Sequence, residues 1–185
     1  MKFLKTILTS LLASLLVAKT TFAVDWPIWG GNGSRNMVSF EKGITMDFDP
    51  GQMDEDEVVD MKTTKNIKWI AKLGSQAYGN VTVADGRVYA GTNNESPRDP
   101  TKKGDRGIVM CFNEKTGKLN WQLVIPKLGA GKVSDWEYIG ICSSPAIEGK
   151  RAYIVTNKCE VVCVDVEGLR NGNEGPFKSE AKYVN

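Results

Sequence analysis

Val109-Met110-Cys111-Phe112-Asn113-Glu114-Lys115-Thr116-Gly117-Lys118-Leu119-Asn120-Trp121 is the stretch that decides the fold. An apolar run ends in a polar turn, and a second run carrying a tryptophan begins beyond it. Its parts recur along the chain. Asn66-Ile67-Lys68-Trp69-Ile70 matches Lys118-Leu119-Asn120-Trp121-Gln122, and Val109 to Asn113 matches Val161-Val162-Cys163-Val164-Asp165, both at an offset of 52. Val83 to Asn93 matches Ile147 to Asn157 at an offset of 64. The offsets reconcile if the second unit carries 12 extra residues within Gly129 to Gly140, and the first carries 12 extra within Asn94 to Gly107.

Each unit reads as short strands in a fixed order. Strand A is expected at Asn80 to Ala84 and at Ser144 to Glu148. Tight turns follow at Asp85-Gly86 and Gly149-Lys150, where Gly tolerates positive φ. Strand B follows at Arg87 to Gly91 and Arg151 to Val155, and strand C at Ile108 to Phe112 and Glu160 to Val164. A fourth strand carries Trp121. A four-stranded antiparallel meander repeating at about fifty residues predicts an all-β fold of β-propeller blades. A β-sandwich is the competing architecture, and it does not explain the common offset of Trp69, Val109 and Cys111.

Val109 to Trp121 resembles the repeat of the quinoprotein-like, or PQQ-like, β-propellers, "v-A-l-D-a-x-T-G-k-x-x-W". The resemblance implies that Trp121, and Trp69 before it, stack on the next blade, with the Thr116-Gly117 turn fixing the approach. Asp25-Trp26-Pro27-Ile28-Trp29-Gly30-Gly31, Ser34 to Ser39 and Asn66 to Trp69 resemble the leader of those propellers. The second unit departs from the pattern: it lacks the Thr-Gly-Lys turn and the tryptophan. Family propellers close with seven or eight blades, so the expectation is an incomplete propeller, the N-terminal part of a larger one.

The chain opens with Lys2 and Lys5, an apolar stretch from Ile7 to Val17, and Thr21-Phe22-Ala23. These are the three parts of a secretory signal peptide, with cleavage expected after Ala23 and a periplasmic or secreted product. The alternative is an uncleaved anchor, but the apolar core is shorter than the ~20 residues a spanning helix needs. No stable membrane span is expected after cleavage. The expected organisation is signal peptide 1–23, leader and acidic linker 24–65, and repeats 66–185.

The whole chain has 24 basic and 22 acidic residues and no histidine. Lys2, Lys5 and Lys19 leave with the signal, giving 21 against 22 and a net charge of −1. That argues against nucleic acid as a partner. The lack of histidine excludes His-based metal sites and Ser-His-Asp catalysis within this chain.

The acidic run Asp54-Glu55-Asp56-Glu57 with Asp60 could hold calcium or could be a solvated linker; it lacks the Gly and spacing of an EF-hand. The segment Asn94 to Gly107 is either part of a binding face or a polar excursion. Gly129-Ala130-Gly131-Lys132 fails the spacing of a phosphate loop. Of the four cysteines, Cys111 and Cys163 are repeat-equivalent, and stacked sheets ~10 Å apart exceed the reach of a disulfide. Pairing about Gly149-Lys150 makes facing residue numbers sum to about 299, which places Cys142 and Cys159 near each other as a possible disulfide.

Two functions follow from the resemblance. One is a non-catalytic propeller holding a protein partner or small molecule on its face, with no cofactor. The other is a dehydrogenase of alcohols or sugars using pyrroloquinoline quinone with calcium. Quinoprotein alcohol dehydrogenases often carry two adjacent cysteines beside the cofactor, and this chain has no adjacent pair, which leans the reading away from an enzyme.

Overall fold

A computed structural model of the chain describes residues 24–129 and 136–168. Residues 1–23, read above as a signal peptide, most of the Gly129–Lys132 stretch and the residues after 168 lie outside the described residues. Among the described residues the fold is all-β apart from one 3-10 turn at Met61–Thr63. The first sheet runs β1 (Thr82–Ala84), β2 (Arg87–Asn93), β3 (Arg106–Asn113) and β4 (Leu119–Pro126), each antiparallel to the next. The second runs β5 (Ala146–Glu148), β6 (Arg151–Val155) and β7 (Val161–Asp165) in the same order. Each strand overlaps its expected position, with ends that differ by one or two residues.

Turn chemistry sets the hairpins. Asp85 and Gly86 have φ of 48° and 73°, the two left-handed residues of a type I′ turn. At the second hairpin Gly149 alone is left-handed, as the first central position of a type II′ turn requires. The β5–β6 register pairs Glu148 with Arg151 and Ala146 with Tyr153, a constant sum of 299.

The first strand of each unit is shorter than expected. The Gly74 and Ser75 N–H groups donate to Thr92 Oγ1 (3.0 Å) and Asn93 Oδ1 (3.0 Å), and Thr92 Oγ1 donates to the Gln76 carbonyl (2.7 Å). The chain therefore reaches β1 from the end of β2, not alongside it. In the second unit the approach is drawn onto the first sheet, where Ile141 N–H donates to Thr92 O (3.1 Å).

Side chains alternate across each strand, and the first sheet buries both faces. One face carries Tyr89, Val109, Cys111, Trp121, Leu123 and Ile125 against Ala152, Ile154 and Val164 of the second sheet. The other carries Ile108, Met110, Phe112 and Val124 beneath Trp69, Ala71 and Leu73. Segment 69–73 has the alternation of β4, 52 residues earlier, yet it belongs to neither sheet.

The leader joins both sheets. Trp26 exchanges two backbone hydrogen bonds with Val83 of β1 (2.8 and 3.0 Å). The Pro27 carbonyl accepts from Ile147 N–H of β5 (2.8 Å), and the Asp25 carboxylate accepts from Asp85 N–H (3.0 Å). Val83 and Ile147 are the repeat-equivalent residues at offset 64, so one short extended segment holds the first strand of each unit.

Candidate functional site

The sequence-singled residues gather at the junctions between layers. Trp69 indole N–H donates to Glu114 O (2.8 Å), and Trp121 N–H donates to Val166 O (2.8 Å). Both bonds join residues 45 apart, and both pairs are related by 52. A Cβ on Gly117 would lie 2.6 Å from Trp69 Cδ2; one on Gly168 would lie 2.7 Å from Trp121 Cδ1. Both glycines are left-handed, with φ of 68° and 59°. The first turn is organised by Asn113, whose Oδ1 accepts from Lys115 N–H, Thr116 N–H and Thr116 Oγ1, each at 3.0 Å. Asp165, 52 residues on, accepts from Glu167 N–H (2.8 Å). The second unit lacks the Thr-Gly-Lys sequence but keeps a glycine under its tryptophan; Gly168 falls one residue short of the repeat, which hides it from an alignment at fixed offset.

The opposite end of each junction holds an asparagine that sequence reasoning passed over. Asn93 donates to Ser75 Oγ (2.9 Å) and Tyr138 O (2.6 Å) while accepting from Ser75 N–H. Asn157, at offset 64, donates to Pro126 O (3.1 Å). Gly74 and Pro126 are themselves 52 apart, so each asparagine clasps the far end of the tryptophan-bearing segment. The signal was present in the repeat Thr-Asn at 92–93 and 156–157.

The core between the sheets is chemically quiet. Burial, and secondarily the neighbouring Cys111, push the Tyr89 hydroxyl far up from its ordinary range. Burial pushes the Cys111 thiol up to about 11, partly offset by the Asn120 amide. Both stay protonated at neutral pH, so neither is an activated nucleophile. Arg87 pairs with Glu167 beside them, tying β2 to the second turn.

Among the hollows at the surface of the described residues, two touch segments that the sequence singled out. The larger, about 630 Å³, is walled by Met53, Val58, Met61, Ile70 and Leu73, with Ser75 and Ser96 at its margin. The Glu57–Lys72 ion pair (2.7 Å) crosses its rim, and the Lys72 hydrogen bond holds the Glu57 carboxyl below its usual range. Its size and lining suit a small apolar ligand or an inserted side chain. The smaller, about 240 Å³, is lined by Trp136, Ile139, Cys142, Val155 and Cys159. All four cysteines stand as thiols; Cys142 and Cys159 are exposed on that shared wall, and Cys159 lies in the turn after β6 with φ of 60°.

The acidic run makes local turns. Asp54 Oδ1 accepts from Asp56 N–H (3.0 Å) and Val58 N–H (2.8 Å), and Asp60 Oδ1 caps Lys62 N–H (3.0 Å). Among the described residues no group of three or more cysteine or acidic side chains is arranged to hold a metal ion. The Asn94–Gly107 segment folds back: Asn94 Nδ2 donates to Gly104 O (3.1 Å), and the Arg98 guanidinium lies 5.6 Å from the Phe112 ring centre. It forms one side of the larger hollow through Ser96. No family model matches this chain, and no curated protein matches it.

Proposed function

We propose that this chain is an exported PQQ-like β-propeller repeat protein that serves as a non-catalytic scaffold, holding a protein partner on its face. The observation that carries this reading is the repeated junction. Segment 69–74 meets the first sheet through Trp69–Gly117 and Asn93, and β4 meets the second through Trp121–Gly168 and Asn157. A unit that docks its neighbour by the same contacts each time is the logic of a stacked repeat. The polar side chains at both ends are spent on docking. The accessible recognition surface is the apolar hollow beside Ile70 and Met61, bordered by the Asn94–Gly107 loop.

Two measurements test it. Photo-crosslinking from position 61 or 70 in exported protein is expected to trap a discrete protein partner. Titration with pyrroloquinoline quinone and calcium is expected to leave the spectrum unchanged. A stoichiometric absorbance change with dye-linked oxidation of an alcohol or sugar would transfer the case to the dehydrogenase.

A further inference from the structure

Residues 67–73, Ile-Lys-Trp-Ile-Ala-Lys-Leu, alternate in burial as a strand does. Trp69, Ala71 and Leu73 pack on the first sheet, while Lys68, Ile70 and Lys72 are exposed. None of the seven has a positive φ. Yet among the described residues none of them makes a backbone–backbone hydrogen bond; only the Lys72 carbonyl is taken, by the Arg98 guanidinium. β4, 52 residues on, makes the same tryptophan junction and is laddered to β3. A row of unpaired N–H and C=O groups is a template for another strand. The other side of the stack shows the converse. β3 has β4 on its outer side, whereas β7, its equivalent at offset 52, is the last strand in the order β5-β6-β7. Among the described residues, 67–73 is a fourth strand without a third, and β7 is a third strand without a fourth. They cannot meet within one copy, because the first sheet lies between them.

We propose that these edges are the two halves of one interface, and that the chain associates head to tail, β7 of one copy pairing antiparallel with residues 67–73 of the next. The β3–β4 ladder fixes the register. Facing residues there sum to 232 from Arg106↔Pro126 to Cys111↔Trp121. Moving one strand on by 52 and the other back by 52 keeps that sum. It sets Val161 against Ala71, Val162 against Ile70, and Cys163 against Trp69, as Cys111 stands against Trp121. It also sets Glu160, just before β7, against Lys72. The repeat does not require that opposite-charge pair, since Ile108 faces Val124 at the same place in the first sheet. In the single copy Lys72 pairs with Glu57 and Glu160 with Lys158, both open to solvent and worth little. The faces agree too. Trp69 and Ala71 look onto the first sheet of their own copy, so Val161, 74% exposed, and Val155 beside it, 52% exposed, would turn onto that sheet as well. A slip of one residue would leave both valines in water and set Glu160 against Ala71 or Leu73. The chain's own residues suit the β7 edge less well: 171–178, where the repeat would put a fourth strand, read Asn-Gly-Asn-Glu-Gly-Pro-Phe-Lys, a poor strand former. The contact is heterologous, so association runs past a dimer or closes into a ring. It stands apart from the scaffold reading: another protein crosslinked from position 61 would support that reading whether or not the chain associates with itself.

Sedimentation velocity on the chain, with and without residues 1–23, across about 1–100 µM decides it. The expected result is concentration-dependent association in both forms. Lys72→Glu and Glu160→Lys should each weaken it by about 3–10-fold. Both changes in one chain should restore it, because every contact then carries the same pair reversed. Lys42→Glu, the same charge change in the exposed leader, should leave it unaltered. Amide exchange within 67–73 should slow by at least ~10-fold between the dilute and the concentrated sample. A strictly monomeric chain, association that vanishes with residues 1–23, charge variants that do not rescue each other, or unchanged exchange at 67–73 in the associated sample would each overturn the proposal. So would protected amides at 171–178 in the dilute sample, since that segment would then hold the β7 edge itself.

Discussion

Gly168 lies beneath the indole of Trp121 as Gly117 lies beneath that of Trp69, with no room at either for a side chain. In each case the indole also donates to a carbonyl two or three residues before the glycine. The flat ring needs a bare backbone to rest on, and the left-handed turn provides it. This contact joins one layer to the next, so the first expectations concern it.

Trp121→Ala should destabilise the fold by ~3–5 kcal/mol, the range for deleting a large buried aromatic. The ring packs in the core between the sheets, edge-on to Tyr89 with centroids 6.1 Å apart. Chemical denaturation measures the loss. A shift of less than ~1 kcal/mol would mean that Trp121 does not dock the second sheet.

Gly117→Ala and Gly168→Ala should each cost more than Gly86→Ala. All three have positive φ, so all three carry the left-handed penalty of roughly 1–2 kcal/mol. Only the first two would also drive a Cβ into an indole, whereas a Cβ on Gly86 meets nothing within 4 Å. Equal losses across the three, read from urea midpoints, would show that the indole contacts carry no energy.

Stability should fall as pH rises from about 9. Cys111 has its thiol raised from an ordinary 9.0 to about 11 in the folded state. Between those values the unfolded chain has released the proton and the folded chain still holds it. Deprotonation then favours unfolding. The loss begins near pH 9, saturates beyond about 11 and amounts to roughly 2–3 kcal/mol; Tyr89 adds to it at the upper end, since its hydroxyl is raised too. Urea unfolding at pH 8, 9, 10 and 11 checks this. Cys111→Ala should flatten the slope between 9 and 10, and an unchanged slope would assign the effect elsewhere.

A disulfide between Cys142 and Cys159 is expected in an oxidising compartment. Both thiols are exposed on the wall of one hollow. The closed loop is short enough to contribute ~3 kcal/mol if its geometry is unstrained. Non-reducing peptide mapping of protein produced in an oxidising compartment decides it. A Cys159–Cys163 peptide, or four alkylatable thiols, would refute the pairing.

The strands and hairpins were legible in the chain because they are local. Short β-branched or aromatic runs marked β2, β3 and β6, Asp85-Gly86 and Gly149-Lys150 marked their turns, and the repeat offsets marked which strands correspond. Three features needed the tertiary structure: Gly168 under Trp121, Asn93 and Asn157 at the far ends of the junctions, and Trp26-Pro27 spanning β1 and β5. Each joins residues far apart in the chain, and even the repeated Thr-Asn at 92–93 and 156–157 does not say which backbone groups it will meet. Strand period and turn chemistry act within a few residues, whereas the choice of which glycine lies under which ring is made only when two sheets stack.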